Sequence, residues 1–251
     1  MDASKTRLSP PPNAPTKLSV TSAAWNTGAK IAPDSLASGY GAGLTTQTGS
    51  RPNPLPGAFN GTTVSIEDAA GAVRLGQLFF VGPDQANFAV PATLGNGTAL
   101  VTITSGSGAI ATGNVEIANV APAMFLMPGG SVAAAGALRV STDGTQTPVA
   151  VFQCSAAGVC TATPIDLGAQ SDVVVVTLFG TGLRKNTGLT NVKATIGGAD
   201  ATVFYAGAQG QFVGLDQINV QIPASLRGRG EVPVVVTLDG QATNTATISV
   251  R

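Results

Sequence analysis

The side chains able to do chemistry are few in this chain, and the missing types say as much as those present. Its 251 residues include no histidine. That removes the usual general base, the Ser-His and Cys-His nucleophile systems, and the commonest transition-metal ligand. Carboxylate pairs are the remaining machinery for a reaction such as glycoside hydrolysis. Glu67-Asp68 is the one adjacent acidic pair. It runs into Ala69-Ala70-Gly71 and reads as a hairpin tip, where acidic residues are favoured whatever the function. Gly39-Tyr40-Gly41-Ala42-Gly43 and Gly180-Thr181-Gly182 have the glycine density of phosphate loops. No helix pattern follows either, and no Gly-Lys-Ser or Gly-Lys-Thr is present, so both read as bends where a strand leaves its sheet. The expectation is a protein that is not an enzyme, with no catalytic residue, no cofactor and no metal.

The two cysteines, Cys154 and Cys160, flank Ser155-Ala156-Ala157-Gly158-Val159. This spacing predicts a disulfide across a hairpin tip, which persists in an oxidising compartment. The competing reading is a metal or redox pair, for which Asp166 is the nearest carboxylate. The disulfide is preferred, and with it a location outside the cytoplasm, extracellular or at the cell surface. The opening Met1-Asp2-Ala3-Ser4-Lys5 has no apolar run of the kind a secretion signal carries, so the chain reads as a mature or trimmed form.

The elements that would carry these residues are strands. Gly, Pro, Thr, Ala and Val are abundant, and runs at helical spacing are scarce and broken by Gly. Charged residues are only 10% of the chain, with Lys+Arg and Asp+Glu equal at 13 each. A neutral chain has no electrostatic pull toward nucleic acid or anionic lipid, and no apolar run reaches the length of a bilayer span. Neither nucleic acid nor membrane insertion is expected.

Internal repetition is the strongest signal. Asp84-Gln85-Ala86-Asn87-Phe88-Ala89-Val90-Pro91 recurs as Asp216-Gln217-Ile218-Asn219-Val220-Gln221-Ile222-Pro223. Tyr40-Gly41-Ala42-Gly43-Leu44 matches Phe179-Gly180-Thr181-Gly182-Leu183, and Phe79-Phe80-Val81-Gly82 matches Phe204-Tyr205-Ala206-Gly207. Gly97 to Ile103 parallels Gly230 to Val236, and the second copy carries an extra stretch, Gln209 to Leu215. In the repeated motif the Asp is expected to close an Asx-turn and the Pro to end the strand. One Asp per copy is thin for calcium. Asp239-Gly240 predicts a hairpin, and Asn60-Gly61 and Asn96-Gly97 sit at similar junctions. The runs Val173-Val174-Val175-Val176 and Val149-Ala150-Val151-Phe152 suit strands buried on both faces.

The expected architecture is all-β, two tandem immunoglobulin-like β-sandwich domains, with about seven strands each. Residues 1–16 form a Pro-rich extended arm, 17–123 the first sandwich, and 124–251 the second with the disulfide hairpin inserted. Phe125 and Leu126 at the join are expected to pack between the modules. Trp25 and Tyr40 are expected to fill the first core.

These motifs resemble the Solibacter-type C-terminal domain family, uncharacterised extracellular modules of large secreted bacterial proteins. The second copy is the nearer match, through Phe179-Gly180-Thr181-Gly182-Leu183, Tyr205-Ala206-Gly207 and Gly214-Leu215-Asp216-Gln217-Ile218-Asn219-Val220-Gln221-Ile222-Pro223. The first copy resembles the module that often precedes it, through Ala23-Ala24-Trp25 and Ala121-Pro122-Ala123-Met124-Phe125. The resemblance implies immunoglobulin-like sandwiches and carries over no catalytic residue. The expected role is a structural or assembly module of a surface fibre or layer, with protein partners and self-association, residues 17–22 adding a strand to a neighbour's sheet. The alternative is a binding module that recognises carbohydrate or protein, using loops such as Gln209 to Leu215 and the cysteine hairpin.

Overall fold

The computed structural model describes residues 15–251. The expected arm falls almost wholly on residues 1–14, outside the described residues. The chain is all-β, and its only helical elements among the described residues are two single 3-10 turns, Leu189–Asn191 and Ala224–Leu226. The first half contributes β1 (Thr16–Lys17), β2 (Ser19–Ser22), β3 (Lys30–Ile31), β4 (Leu36–Tyr40), β5 (Gly49–Ser50), β6 (Ala58–Phe59), β7 (Thr62–Glu67), β8 (Val73–Val81), β9 (Gln85–Ala89), β10 (Gly97–Thr104) and β11 (Ile110–Ile117). The second half contributes β12 (Ala123–Met124), β13 (Ala135–Val140), β14 (Gln146–Val149), β15 (Phe152–Cys154), β16 (Cys160–Ala162), β17 (Val173–Thr181), β18 (Val192–Ile196), β19 (Ala199–Ala201), β20 (Val203–Ala208), β21 (Asp216–Gln221), β22 (Gly230–Leu238), β23 (Gln241–Ala242) and β24 (Ala246–Val250).

In the first half the strands run β1-β11-β10-β7-β8-β9-β4-β2. β8 makes the corner: Val73 to Gly76 pair with β7, and Gln77 to Val81 pair with β9. This folds one continuous ladder into two facing groups. A Cβ on Gly39 of β4 would lie 2.9 Å from Ile103 Cδ1 of β10, so glycine is what lets the two groups close. Alternate residues of both groups, among them Val64, Ile66, Leu78, Phe88, Val101 and Ile103, fill one core.

The second half is built on separate sheets. β14-β13-β17-β21-β20 form one sheet, and β19-β18-β22-β23, with β24 on β22, form another. Here β19 and β20 do the work of β8, one on each sheet, parted at Thr202. A second core, separate from the first, gathers Val176, Leu178, Ile218, Val220, Ile196, Val234 and Ile248.

The sequence-matched blocks sit at matching registers. Tyr40 pairs with Gln85, and Phe179 pairs with Gln217. The ladder of β8 on β9 slips at Phe79, and that of β20 on β21 slips at its counterpart Phe204. Gly97 faces Ile117, and Gly230 faces Val250.

Three local expectations change. Val173 to Val176 alternate half-buried and buried instead of being buried throughout, because β17 has its own sheet on both edges but only one face on the core. In Val149 to Phe152 only Val151 is buried, and Ala150 interrupts the strand. Asp239-Gly240 and Asn60-Gly61 do form two-residue turns with positive φ at both positions, whereas Asn96-Gly97 leads into β10 without a tight turn.

Candidate functional site

The repeated motif is built alike in both halves at Gln and Asn and differently at Asp. Gln85 Nε2 donates to Asn87 Oδ1 at 2.8 Å, and Gln217 Nε2 donates to Asn219 Oδ1 at 3.2 Å. Pro91 and Pro223 lie just beyond the ends of β9 and β21. Asp84 is exposed, while Asp216 is fully buried. The Asx-turn expected of this Asp is not what Asp216 does. Its Oδ2 accepts from the Leu183 N–H at 2.7 Å and its Oδ1 from Arg184 Nε at 2.6 Å. Arg184 Nη2 also donates to Leu215 O at 2.9 Å. In the first half the matching amide, Leu44 N–H, donates to the Pro83 carbonyl, and Thr45 stands where Arg184 would be. Burial pushes the Asp216 carboxyl above its ordinary value; the Leu183 amide and the Arg184 guanidinium pull it back.

Beside this pair lies the junction of the halves. Thr181 is fully buried; its Oγ1 accepts from the Leu36 N–H at 2.8 Å and donates to Gly214 O at 2.7 Å. One hydroxyl therefore joins the first half, the Gly-Thr-Gly bend and the extra stretch of the second half. Gly182 has φ 76°, and a Cβ there would meet the Ala121 carbonyl, so the bend admits no side chain. Lys185 Nζ donates to Ala92 O at 2.6 Å and lies 3.7 Å from Asp34 Oδ2. The extra stretch packs on the first half as well: Asn53 Nδ2 donates to Gln211 O at 3.3 Å, and Phe212 and Val213 line an apolar pocket with Leu36, Leu55 and Phe79. The loop expected to meet a ligand thus meets the first half.

At the join, Met124 is the deeply buried residue, and its backbone N–H and C=O both bond the Asn244 amide, at 2.8 and 3.0 Å. Phe125 and Leu126, expected to pack between the modules, are half-buried. They border a groove whose other side is Ala23 to Thr27. Trp25 is not a core residue: it is 39% exposed and borders both that groove and a second one that Thr27, Lys30, Pro122 and Gln241 help to line. Tyr40 is half-buried, and its hydroxyl donates to Asn26 Oδ1 at 3.3 Å. The first core gathers Leu18, Ile31, Phe88 and Ile103 and does not include Trp25. The Asn-Thr-Gly that follows Trp25 was the legible signal for a loop.

Cys154 and Cys160 are disulfide-bonded across the β15–β16 hairpin. The Cys160 N–H donates to Pro128 O at 2.9 Å, which holds the hairpin against the start of the second half. Glu67-Asp68 is a hairpin tip as expected, but Asp68 is buried and structural. Its carboxylate accepts from the Gly95, Ala72 and Ala70 N–H groups at 2.9, 2.9 and 3.0 Å. Those bonds, Gly95 foremost, hold its carboxyl below the ordinary value. Among the described residues no three Cys, Asp or Glu side chains gather as a metal-ligand set, and no helix is long and apolar enough to cross a membrane. Residues 17–22, expected to complete a neighbour's sheet, pair within their own chain, Lys17 on β11 and Ser19 to Ser22 on β4.

The chain matches none of the protein-family models and none of the curated proteins with which it was compared.

Proposed function

We propose that this chain is a non-catalytic extracellular structural module, two immunoglobulin-like β-sandwiches in tandem held at a fixed angle, that serves as a spacer or subunit of a surface assembly. The junction carries this reading. Thr181, Lys185 and the stretch Gln209 to Leu215 bond the second half to the first at separate points, where a flexible linker would leave them free. Matching registers in the two halves support a duplicated sandwich and fit the resemblance to the Solibacter-type C-terminal modules. The disulfide supports an oxidising, extracellular setting.

Small-angle scattering with light scattering across concentration tests it. The expected profile fits one arrangement of the halves, either as a monomer, for a spacer within a larger protein, or as ordered oligomers, for a free subunit. A profile that demands an ensemble of orientations overturns the proposal, as does turnover in a glycoside screen.

A further inference from the structure

Trp25 borders two grooves that the spacer role does not use. The ring does not hang free. The Gly28 N–H donates to the Trp25 carbonyl at 2.9 Å, and the Trp25 N–H to Ser22 O at 3.2 Å, so the turn that carries the indole is closed on both sides. A Cβ on Gly28 would lie 3.3 Å from the ring carbon Cε3, so Gly28 lies close against the indole of a residue that is 39% exposed. Both neighbouring grooves span the halves, one reaching Gln241 and the other Thr245. The side chains of Thr27, Gln241 and Thr245 are exposed. Among the described residues, Lys30 is the only formal charge lining either groove.

We infer that Trp25, with Thr27, Gln241 and Thr245, forms a binding site for a neutral, linear carbohydrate that lies across the indole and extends into the groove on each side. A pyranose offers an apolar C–H face to a ring and uncharged hydroxyls around its rim. The first matches an amphipathic aromatic platform, and the second matches amide and hydroxyl partners without a counter-ion. A charged polymer would meet one lysine and no acidic partner here. A rigid platform loses little freedom on binding, which suits a weak, repeated contact with a polysaccharide. The inference is independent of whether the chain is a spacer or a subunit.

The chain has one tryptophan, so its emission reports this site alone. The full chain is titrated with cellohexaose, xylohexaose, laminarihexaose and mannohexaose, read by tryptophan fluorescence and by calorimetry. Saturable blue-shifted emission with at least one sugar is expected, with affinity falling roughly tenfold or more in Trp25→Ala. Gln241→Ala, on the other half of the molecule, is expected to weaken binding several-fold while leaving the Trp25 turn intact. The inference is overturned if no probe shifts the emission up to about 10 mM, or if calorimetric binding survives Trp25→Ala. It is equally overturned if the emission shifts with protein concentration alone, which would make the occupant of the groove another protein chain.

Discussion

At the scale of single residues, the two buried aspartates oppose each other in their response to pH. Asp68 has its folded value below the ordinary 3.8. Its contribution to stability is therefore complete above that value and lost as pH falls through the lower, folded one. Asp216 has its folded value above 3.8, so its contribution is complete below 3.8 and lost as pH rises through the folded value. Asp68→Asn is expected to flatten the acid limb of stability, measured as urea midpoints between about pH 2 and pH 5. Arg184→Met leaves the Asp216 carboxylate buried with only one amide donor. It is expected to cost about 3 kcal/mol at neutral pH and less in acid, where Asp216 is protonated. A cost that did not shrink in acid would mean that packing, and not the charge, was what Arg184 supplied.

At the scale of elements, the question is how edges and hairpins are secured. In the first half, β5 covers the outer side of β8, pairing Gly49 with Val81. The matching strand β20 has no such cover, and side chains take its place. Asn186 Nδ2 donates to Ala206 O at 3.1 Å, and the Tyr205 hydroxyl to Ala208 O at 2.7 Å. Carbonyls already bonded are poor templates for another strand. Asn186→Ala with Tyr205→Phe is expected to promote self-association, seen as rising mass in light scattering. The β15–β16 hairpin closes a short loop, so the entropy its disulfide removes from the unfolded chain is small. Replacing both cysteines by serine is expected to cost about 2 kcal/mol in thermal or urea unfolding without loss of fold.

At the scale of the whole molecule, stability and orientation are separable. Each half has its own core, and Thr181, Asn53 and Lys185 bond one half to the other. Thr181→Val removes the hydroxyl and strands the Leu36 N–H and the Gly214 carbonyl in a buried place. A loss of about 2 kcal/mol at the junction is expected. Joined with Lys185→Ala, it should turn a scattering profile of one arrangement into that of several, with both cores intact by circular dichroism.

The sequence by itself determined the all-β class, the disulfide and the two-residue turns. Each of those follows from local chemistry: alternation every second residue, the positive φ that Asp-Gly and Asn-Gly accept, and two cysteines close along the chain. Tertiary structure alone decided three other things. Asp84 and Asp216 carry the same motif, yet Asp216 is buried against the Leu183 amide and Arg184 while Asp84 is exposed. Gln209 to Leu215 reads as a free loop until the first half is placed against it. Trp25 reads as core because large aromatics are usually buried, yet it lies outside the core and lines two grooves where the halves meet. Burial is a property of the packed whole: a side chain's hydrophobicity sets what it gains from being inside, and its neighbours from distant strands set whether there is room.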